Sequence, residues 1–450
     1  METIMANAIV PHADAKPQIL GPKILASDPS PTDEALYIVS VSPSYAINVY
    51  EDNYDRAMPG GLNVGDLNFL SPQHDLFRIG YVMSSAGQAF RQKKRCIITE
   101  RDRAATSLIC DSGGYAIAQQ TAGIDGYKHR AMILGWMQDH ADFAMTLDVP
   151  VGPVGKPGYA YKSFKQCLDT TLDHLRYFEE KRGKNSQVCW LNVVQARRPA
   201  EGYAWYNAVK HFDFCSGWAI AGAQRKNFNY VLSLILRMLE DGNLQQKRHI
   251  HMLGTAELPI ACMLTTLQRE LNQNGCNLRI TYDTASPFKM MAMGNVYTLP
   301  NFTADTLKLS AQPAPRSFGS VTSNLDWPWP SPLGDRLQLK DVCVQHNGGS
   351  GYYFDKLSYD ILAHHNIAAL CNGVKMANRV MDVQRTDGAP QLALKLDRAI
   401  GAIKAVFKSG GSHDVLAAHS HIFNDLARSS FPMAQTEPDE RDEVDPFDVA

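Results

Sequence analysis

LRITYDTASPFKMMAMG, residues 278–294, reads as a short buried strand that stops around Asp283 and Ser286 before a new segment begins. The same pattern recurs upstream. ALYIVSVSP (35–43), SLICDSGG (107–114), FAMTLDVP (143–150), VCWLNVVQ (188–195), FCSGWAIAG (214–222) and RHIHMLG (248–254) each read as a buried strand running into a turn or polar residue. Between them lie longer helix-like stretches, among them SFKQCLDTTLDHLRYFEEKRG (163–183), NYVLSLILRMLEDG (229–242) and ELPIACMLTTLQRELNQNG (257–275). Strand and helix in repeated alternation predict an α/β fold with a parallel sheet. A chain of 450 residues accommodates a decorated (β/α)8 TIM barrel, which is the preferred architecture. A doubly wound open sheet is the alternative, and in either fold the carboxyl ends of the strands carry the site.

The pattern predicts an N-terminal extension over 1–34, the barrel over 35–310, a C-terminal region over 311–432 and a tail over 433–450. The boundary at 311 rests on AQPAPRSFGSVTSNLDWPWPSPLG (311–334), whose Pro and Ser content breaks the alternation. A Cys/His-bearing segment follows, then helix-like stretches HHNIAALCNGVKMANRVMDVQ (364–384) and ALKLDRAIGAIKAVFKSG (393–410). The last residues, QTEPDERDEVDPFDVA, are acidic and poor in apolar groups, which predicts disorder.

With 45% hydrophobic and 20% charged residues, the chain has the composition of a soluble globular protein with a substantial core. The nine cysteines are scattered singly, several inside apolar runs, as reduced core thiols are, so the expected compartment is the cytoplasm. No apolar run reaches the ~18 residues of a membrane span, and the first thirty residues lack the series of an export signal. The formal net charge of −2 excludes a globally basic nucleic-acid coat. It averages an acidic tail with locally basic segments, so a nucleic acid would be met by a patch.

Two carboxylates carry the candidate chemistry. In SLICDSGGYAIAQ, Asp111 follows an apolar strand and precedes Ser112-Gly113-Gly114, which puts it at a strand tip beside backbone able to approach a ligand. Asp283 occupies the same kind of position. Taken singly, Asp111 has a competing reading as the cap of a strand-to-helix turn, and Asp283 alone reads as a helix N-cap.

In their order along the chain these segments resemble the tRNA-guanine transglycosylase superfamily, and above all its DNA-modifying branch, the DNA-guanine transglycosylases called DpdA. DSGGY (111–115) is close to the family's DSGG(F/Y). LDVP presents Asp148 where the family has an acidic base-reading residue, and LNVVQAR presents Gln195 where it has VQG. GWAIAG (217–222) resembles GLAVGE, HMLGTAE (251–257) resembles YLMGVG, and YDTASP (282–287) resembles FDCVLPTR. The six matches cover most of residues 105–290.

The resemblance implies that Asp283 is a nucleophile and Asp111 a general acid/base. Exchange of a base at an N-glycosidic bond passes through an oxocarbenium-like state, which a carboxylate can trap covalently, as in retaining glycosidases. A second carboxyl group can protonate the departing base and deprotonate the incoming one. By the same resemblance, Tyr115 and Leu253 would enclose a planar base, and Asp148 and Gln195 would read its edge. The N–H groups of Gly217, Trp218 and Ala219 would bind its exocyclic oxygen, with Gly254 beside them. Core packing is the competing reading for Tyr115 and Leu253, and a surface strand end for Gln195.

The family's tRNA enzymes hold a structural zinc with CxCxxC and a later His-Asn. Here DVCVQH presents Asp341, Cys343 and His346 at that spacing, and His365 precedes Asn366, so the resemblance implies an inserted zinc-binding-like subdomain with an altered ligand set. His364 and Cys371 are substitute ligands in another register. A metal-free hydrogen-bonded cluster is the alternative, and no organic cofactor is expected.

The target base must be extruded from a duplex or presented single-stranded. Candidate phosphate contacts are Arg91, Lys93, Lys94 and Arg95, then Arg197 and Arg198, Arg225 and Lys226, and Lys289, each also readable as a solvated charge. Ser286-Pro287-Phe288-Lys289 replaces the PTR of the tRNA enzymes. This suits the DpdA branch, whose members install a 7-deazaguanine, usually preQ0, in DNA. Pairing of two copies and an ATP-dependent partner that opens the duplex are further expectations along that line. Two rivals stand beside this reading: a tRNA-guanine or archaeosine-type transglycosylase, and a non-catalytic barrel subunit that binds nucleic acid. A metal-dependent barrel hydrolase lacks the His set it would need at the strand ends.

Overall fold

Eight parallel strands close on themselves: β1 (Leu36–Ser40), β2 (Tyr81–Ser85), β3 (Ser107–Asp111), β4 (Phe143–Met145), β5 (Cys189–Val194), β6 (Gly217–Ile220), β7 (His249–Met252) and β8 (Arg279–Thr284). The computed structural model describes residues 33–73, 76–114, 126–183, 187–303, 307–345, 351–383 and 393–430. β8 returns to β1 in parallel, with Tyr37 opposite Tyr282 and Ile38 opposite Asp283, so the sheet has no edge. This is the (β/α)8 barrel, and the open doubly wound sheet is excluded.

The strands are short and buried on both faces, which is why they read as apolar runs. Their period of two divides the core. Ile38, Met83, Ile109, Leu191, Val193 and Ala219 fill the interior. Val39, Val82, Leu108, Val194, Ile220 and Ile250 pack outward against the helices.

The surrounding helices include α1 (Pro43–Glu51), α2 (Gly126–His140), α3 (Phe164–Lys181), α4 (Pro199–Val209), α5 (Phe228–Glu240) and α6 (Leu258–Gln273). Local chemistry sets their starts. The Ser163 hydroxyl accepts from Gln166 N–H at α3, the Asn227 side chain accepts from Tyr230 N–H at α5, and Pro259 lies in the first turn of α6. After β2 there is only a single helical turn, Ala86–Ala89.

Beyond β8, the short α7 (Ser286–Ala292) leads into an antiparallel hairpin of β9 (Asn295–Phe302) and β10 (Leu307–Pro313). The long α8 (Lys356–Asp382) then packs on α6, α7 and β1, the station of an eighth barrel helix. Asp355 caps it and also pairs with Arg56 at 2.7 Å. α9 (Leu394–Lys408) lies on α6, and α10 (His413–Ser430) joins α9 to α5.

Seven of these strands are the seven expected ones. β2, YVMSS, was not, because its Ser-Ser-Ala end dilutes the apolar run. The expected boundary at 311 falls within β10, and the Pro-rich passage is partly anchored, since Trp327 and Trp329 are buried and meet edge to face. The acidic tail over 433–450 and most of the 1–34 extension lie outside the described residues. All nine cysteines are buried and free. Among the described residues no helix is long and apolar enough to cross a membrane.

Candidate active site

Alternation along β3 turns Leu108 and Cys110 toward the helices and Ile109 inward, so Asp111, the last residue of the strand, shares the inward face. On β8, Ile280 and Tyr282 pack outward, which leaves Thr281 and Asp283 inside. Both candidate carboxylates therefore sit on the inner face at the carboxyl-terminal rim, where barrels assemble their sites.

Backbone N–H groups hold each of them. Asp283 is 3% exposed, and its Oδ1 accepts from Gly254 N–H at 2.7 Å and faces His251 Nε2 at 3.2 Å. Among the described residues no donor reaches Oδ2 of Asp283. Asp111 Oδ2 accepts from Gly113 N–H at 3.0 Å. Gly113 has φ +74°, and a Cβ there would lie 2.5 Å from Gly87 Cα, so only glycine fits.

Asp148, just past β4, closes the same rim. Its Oδ2 accepts from Gln195 Nε2 at 2.8 Å and its Oδ1 from the Ser112 hydroxyl at 3.3 Å. Burial raises this carboxyl group to about 6, against the opposing pull of the Gln195 and Ser112 hydrogen bonds. Gln195 is buried too, and its Oε1 has no hydrogen-bond partner among the described residues. The DSGG segment and β5 are thus locked to one carboxylate. Leu253, one residue past β7, packs on the interior cluster.

Other expected base contacts fall elsewhere. Gly217, Trp218 and Ala219 lie within β6, paired with β5 on one side and β7 on the other, so they form barrel wall below the rim. The Trp218 side chain faces the helices, where its indole N–H donates to Asn243 O at 3.2 Å. At the rim β6 presents Ala221 and Gly222, because the strand itself ends at Ile220. Gly222 has φ +80°, and a Cβ there would lie 2.9 Å from Gln195 Oε1. Tyr115 lies outside the described residues.

Among the described residues, Asp341, Cys343 and His365 do not form a group able to hold a metal. Asp341 Oδ2 accepts from Gln338 N–H at 2.7 Å in a helix-capping box. Burial pushes the Cys343 thiol up, which disfavours a thiolate. His365 spends both ring nitrogens on protein: Nε2 donates to Tyr297 O at 2.9 Å, and Nδ1 accepts from the Ser331 hydroxyl at 2.9 Å. Burial lowers its imidazole to about 4, so it is neutral. Asn366 completes this hub, accepting from Tyr297 N–H at 2.7 Å and donating to Pro287 O and Asn295 O. His-Asn is here a hydrogen-bonded clamp of β9 and α7 onto α8. Of the substitutes, Cys371 is held as a thiol by burial, and His364 is enclosed by Phe69 and Phe77. His346 lies outside the described residues, and among those described no group of three or more His, Cys, Asp or Glu could hold a metal.

The basic residues are mostly engaged with protein. Lys94 pairs with Glu51 at 3.0 Å, Arg95 with Glu100, and Lys226 with Glu257 at 2.9 Å. Arg197 and Arg198 share Glu201, and Arg91 meets His129 at 2.8 Å. Arg225 reaches Gly222 O at 2.9 Å and Gly254 O at 3.4 Å, which ties together the loops after β6 and β7. Lys93 is exposed and Lys289 half-buried.

Three side chains at the site were not anticipated: Ser112 on Asp148, and His251 and Thr281 behind Asp283. The alternation of RHIHMLG held the signal for His251, since His249 and His251 share a phase with inward-facing residues. No protein-family model matches the chain, and no curated protein matches it.

Proposed function

We propose that the chain is a DNA-guanine transglycosylase that exchanges guanine for a 7-deazaguanine base through a covalent Asp283–nucleotide intermediate. The observation that carries this reading is the coincidence, at one barrel rim, of two inward strand-end carboxylates with a carboxylate–amide pair suited to a guanine edge. A carboxylate oxygen of Asp283 attacks C1′ as the C1′–N9 bond breaks, and Asp111, as the acid, gives its proton to the departing base. Asp111, now the base, takes the N9 proton of the incoming 7-deazaguanine. That nitrogen displaces Asp283 from C1′, so configuration is retained over two inversions. Asp148 accepts from the N1–H and exocyclic N–H groups of the base, and Gln195 Oε1 is an acceptor in the same rim. No step requires a metal.

Labelled guanine incubated with the purified chain and either DNA or bulk tRNA tests the proposal. Label is expected in DNA, and its incorporation is expected to vanish in Asp283→Asn and Asp111→Asn. Label in tRNA alone would replace the DNA assignment with the tRNA one. Label in neither would refute base exchange.

A further inference from the structure

A file of polar side chains crosses a barrel interior whose other fill is mostly apolar. His249 Nε2 lies 2.6 Å from Thr281 Oγ1, Thr281 Oγ1 lies 2.7 Å from His251 Nδ1, and His251 Nε2 lies 3.2 Å from Asp283 Oδ1. The two imidazoles are nearly parallel, with ring centroids 6.5 Å apart and an interplanar angle of 14°, and none of His249, Thr281 and His251 is more than 1% exposed.

Hydrogen-bond accounting gives this file a direction. His249 Nδ1 is buried and has no hydrogen-bond partner among the described residues. A buried N–H without an acceptor is rarer and costlier than an unused lone pair, so the proton of His249 belongs on Nε2. That N–H donates to Thr281 Oγ1, and the single hydroxyl proton of Thr281 then donates to His251 Nδ1. His251 must carry its own proton on Nε2, aimed at Asp283. The reverse order would set a nitrogen lone pair against the carboxylate. Burial, with His251 and Arg279 adding to it, pushes the His249 imidazole well below its ordinary value, in keeping with a neutral ring at the head of the file.

We infer that His251 is a positioning residue for Asp283: with its tautomer fixed by Thr281 and His249, it joins Gly254 N–H in holding Oδ1 and so leaves Oδ2 to attack the sugar carbon. The inference rests on the transglycosylase reading. Oδ2 gives its electron pair to C1′, and the pair of the C1′–N9 bond leaves with the base. In the resulting ester Oδ1 is the carbonyl oxygen, still facing the same two donors, which receive the returning charge when the ester is displaced.

Amide substitutions separate the two ring nitrogens. His251→Gln puts an amide N–H near the place of Nε2, and His251→Asn puts it near Nδ1. In single-turnover formation of the Asp283–DNA adduct, His251→Gln is expected within about fivefold of the parent, and His251→Asn about 100-fold slower. Thr281→Val is expected to slow the parent about tenfold yet to add nothing in the His251→Gln background, where no tautomer needs fixing. Equal rates for the Gln and Asn variants at equal melting temperatures would overturn the inference. The 15N-histidine spectrum of the parent needs no reaction. It should show His251 as the neutral Nε2–H tautomer, with that signal perturbed in Thr281→Val, and an Nδ1–H or doubly protonated ring would refute the arrangement. A chain with the expected spectrum that forms no adduct with any polynucleotide would fail on the reaction itself.

Discussion

Gln195 donates its amide N–H to Asp148 Oδ2 at 2.8 Å, while its own Oε1, buried at the same rim, has no partner among the described residues. The pair offers a carboxylate and an unsatisfied carbonyl at a site with a glycine, Gly222, pressed against the amide. Buried polar groups left without partners are uncommon in native interiors, and a base edge supplies an N–H group that Gln195 Oε1 lacks.

Burial raises Asp148 to about 6 in the folded chain, above its ordinary value. The folded state then binds this proton more tightly than the unfolded state does. Stability from this group is therefore fully present below the unfolded value, is lost as pH rises toward 6, and levels off beyond it. The penalty above pH 7 is roughly 3 kcal/mol. Asp148→Asn is accordingly expected to melt higher than the parent near pH 7.5, with the gap closing toward about pH 4.5. Calorimetry checks this, and a pH-independent loss of stability in the variant would contradict it.

The same titration governs ligand binding. Only the ionised carboxylate accepts from both N–H groups of a guanine edge, so affinity for free guanine or a 7-deazaguanine should strengthen as pH rises through about 6. Below that range it should fall by about tenfold per unit. Isothermal titration of the base against pH measures the slope, which Asp148→Asn should abolish along with most of the affinity.

Gly113→Ala sets a Cβ 2.5 Å from Gly87 Cα at φ +74°. Backbone strain of this kind costs about 1–3 kcal/mol, and relief would move the N–H that holds Asp111. The expected result is a loss of base exchange well beyond the loss of denaturant stability. Gly61→Ala, at φ +69° with open space around it, supplies a control for strain alone.

His365→Ala removes the partner of Tyr297 O and of the Ser331 hydroxyl and opens a cavity behind β9. A destabilisation of about 3 kcal/mol is expected from the denaturant midpoint. Prolonged chelation is expected to leave the parent's melting temperature unchanged. A large chelator-induced drop would return His365 to the role of a metal ligand.

The barrel was legible in the sequence because parallel strands buried on both faces leave apolar runs such as VCWLNVV, and because each ran into a helix-like stretch. β2 escaped because its Ser-Ser-Ala end dilutes the apolar run. At the site, Asp111, Asp148, Gln195 and Asp283 fall at strand ends, a property of one-dimensional order. What spacing could not convey was what each side chain meets across the fold. Asp341 and Cys343 keep a ligand-like interval, yet α8 delivers His365 to the backbone of β9 and to Ser331. The N–H groups of Gly217, Trp218 and Ala219 were expected at the base because GWAIAG does not show where its strand stops; all three lie inside β6, paired with β5 and β7, and the rim begins only at Ala221.

Intact-mass analysis of the chain quenched after mixing with a guanine-containing single-stranded oligonucleotide addresses Asp283 directly. The account expects the chain to gain the mass of the oligonucleotide less guanine, with the added mass mapping to the peptide that contains Asp283 and absent from Asp283→Asn. Guanine released without any adduct, or an adduct that persists in Asp283→Asn, would contradict it.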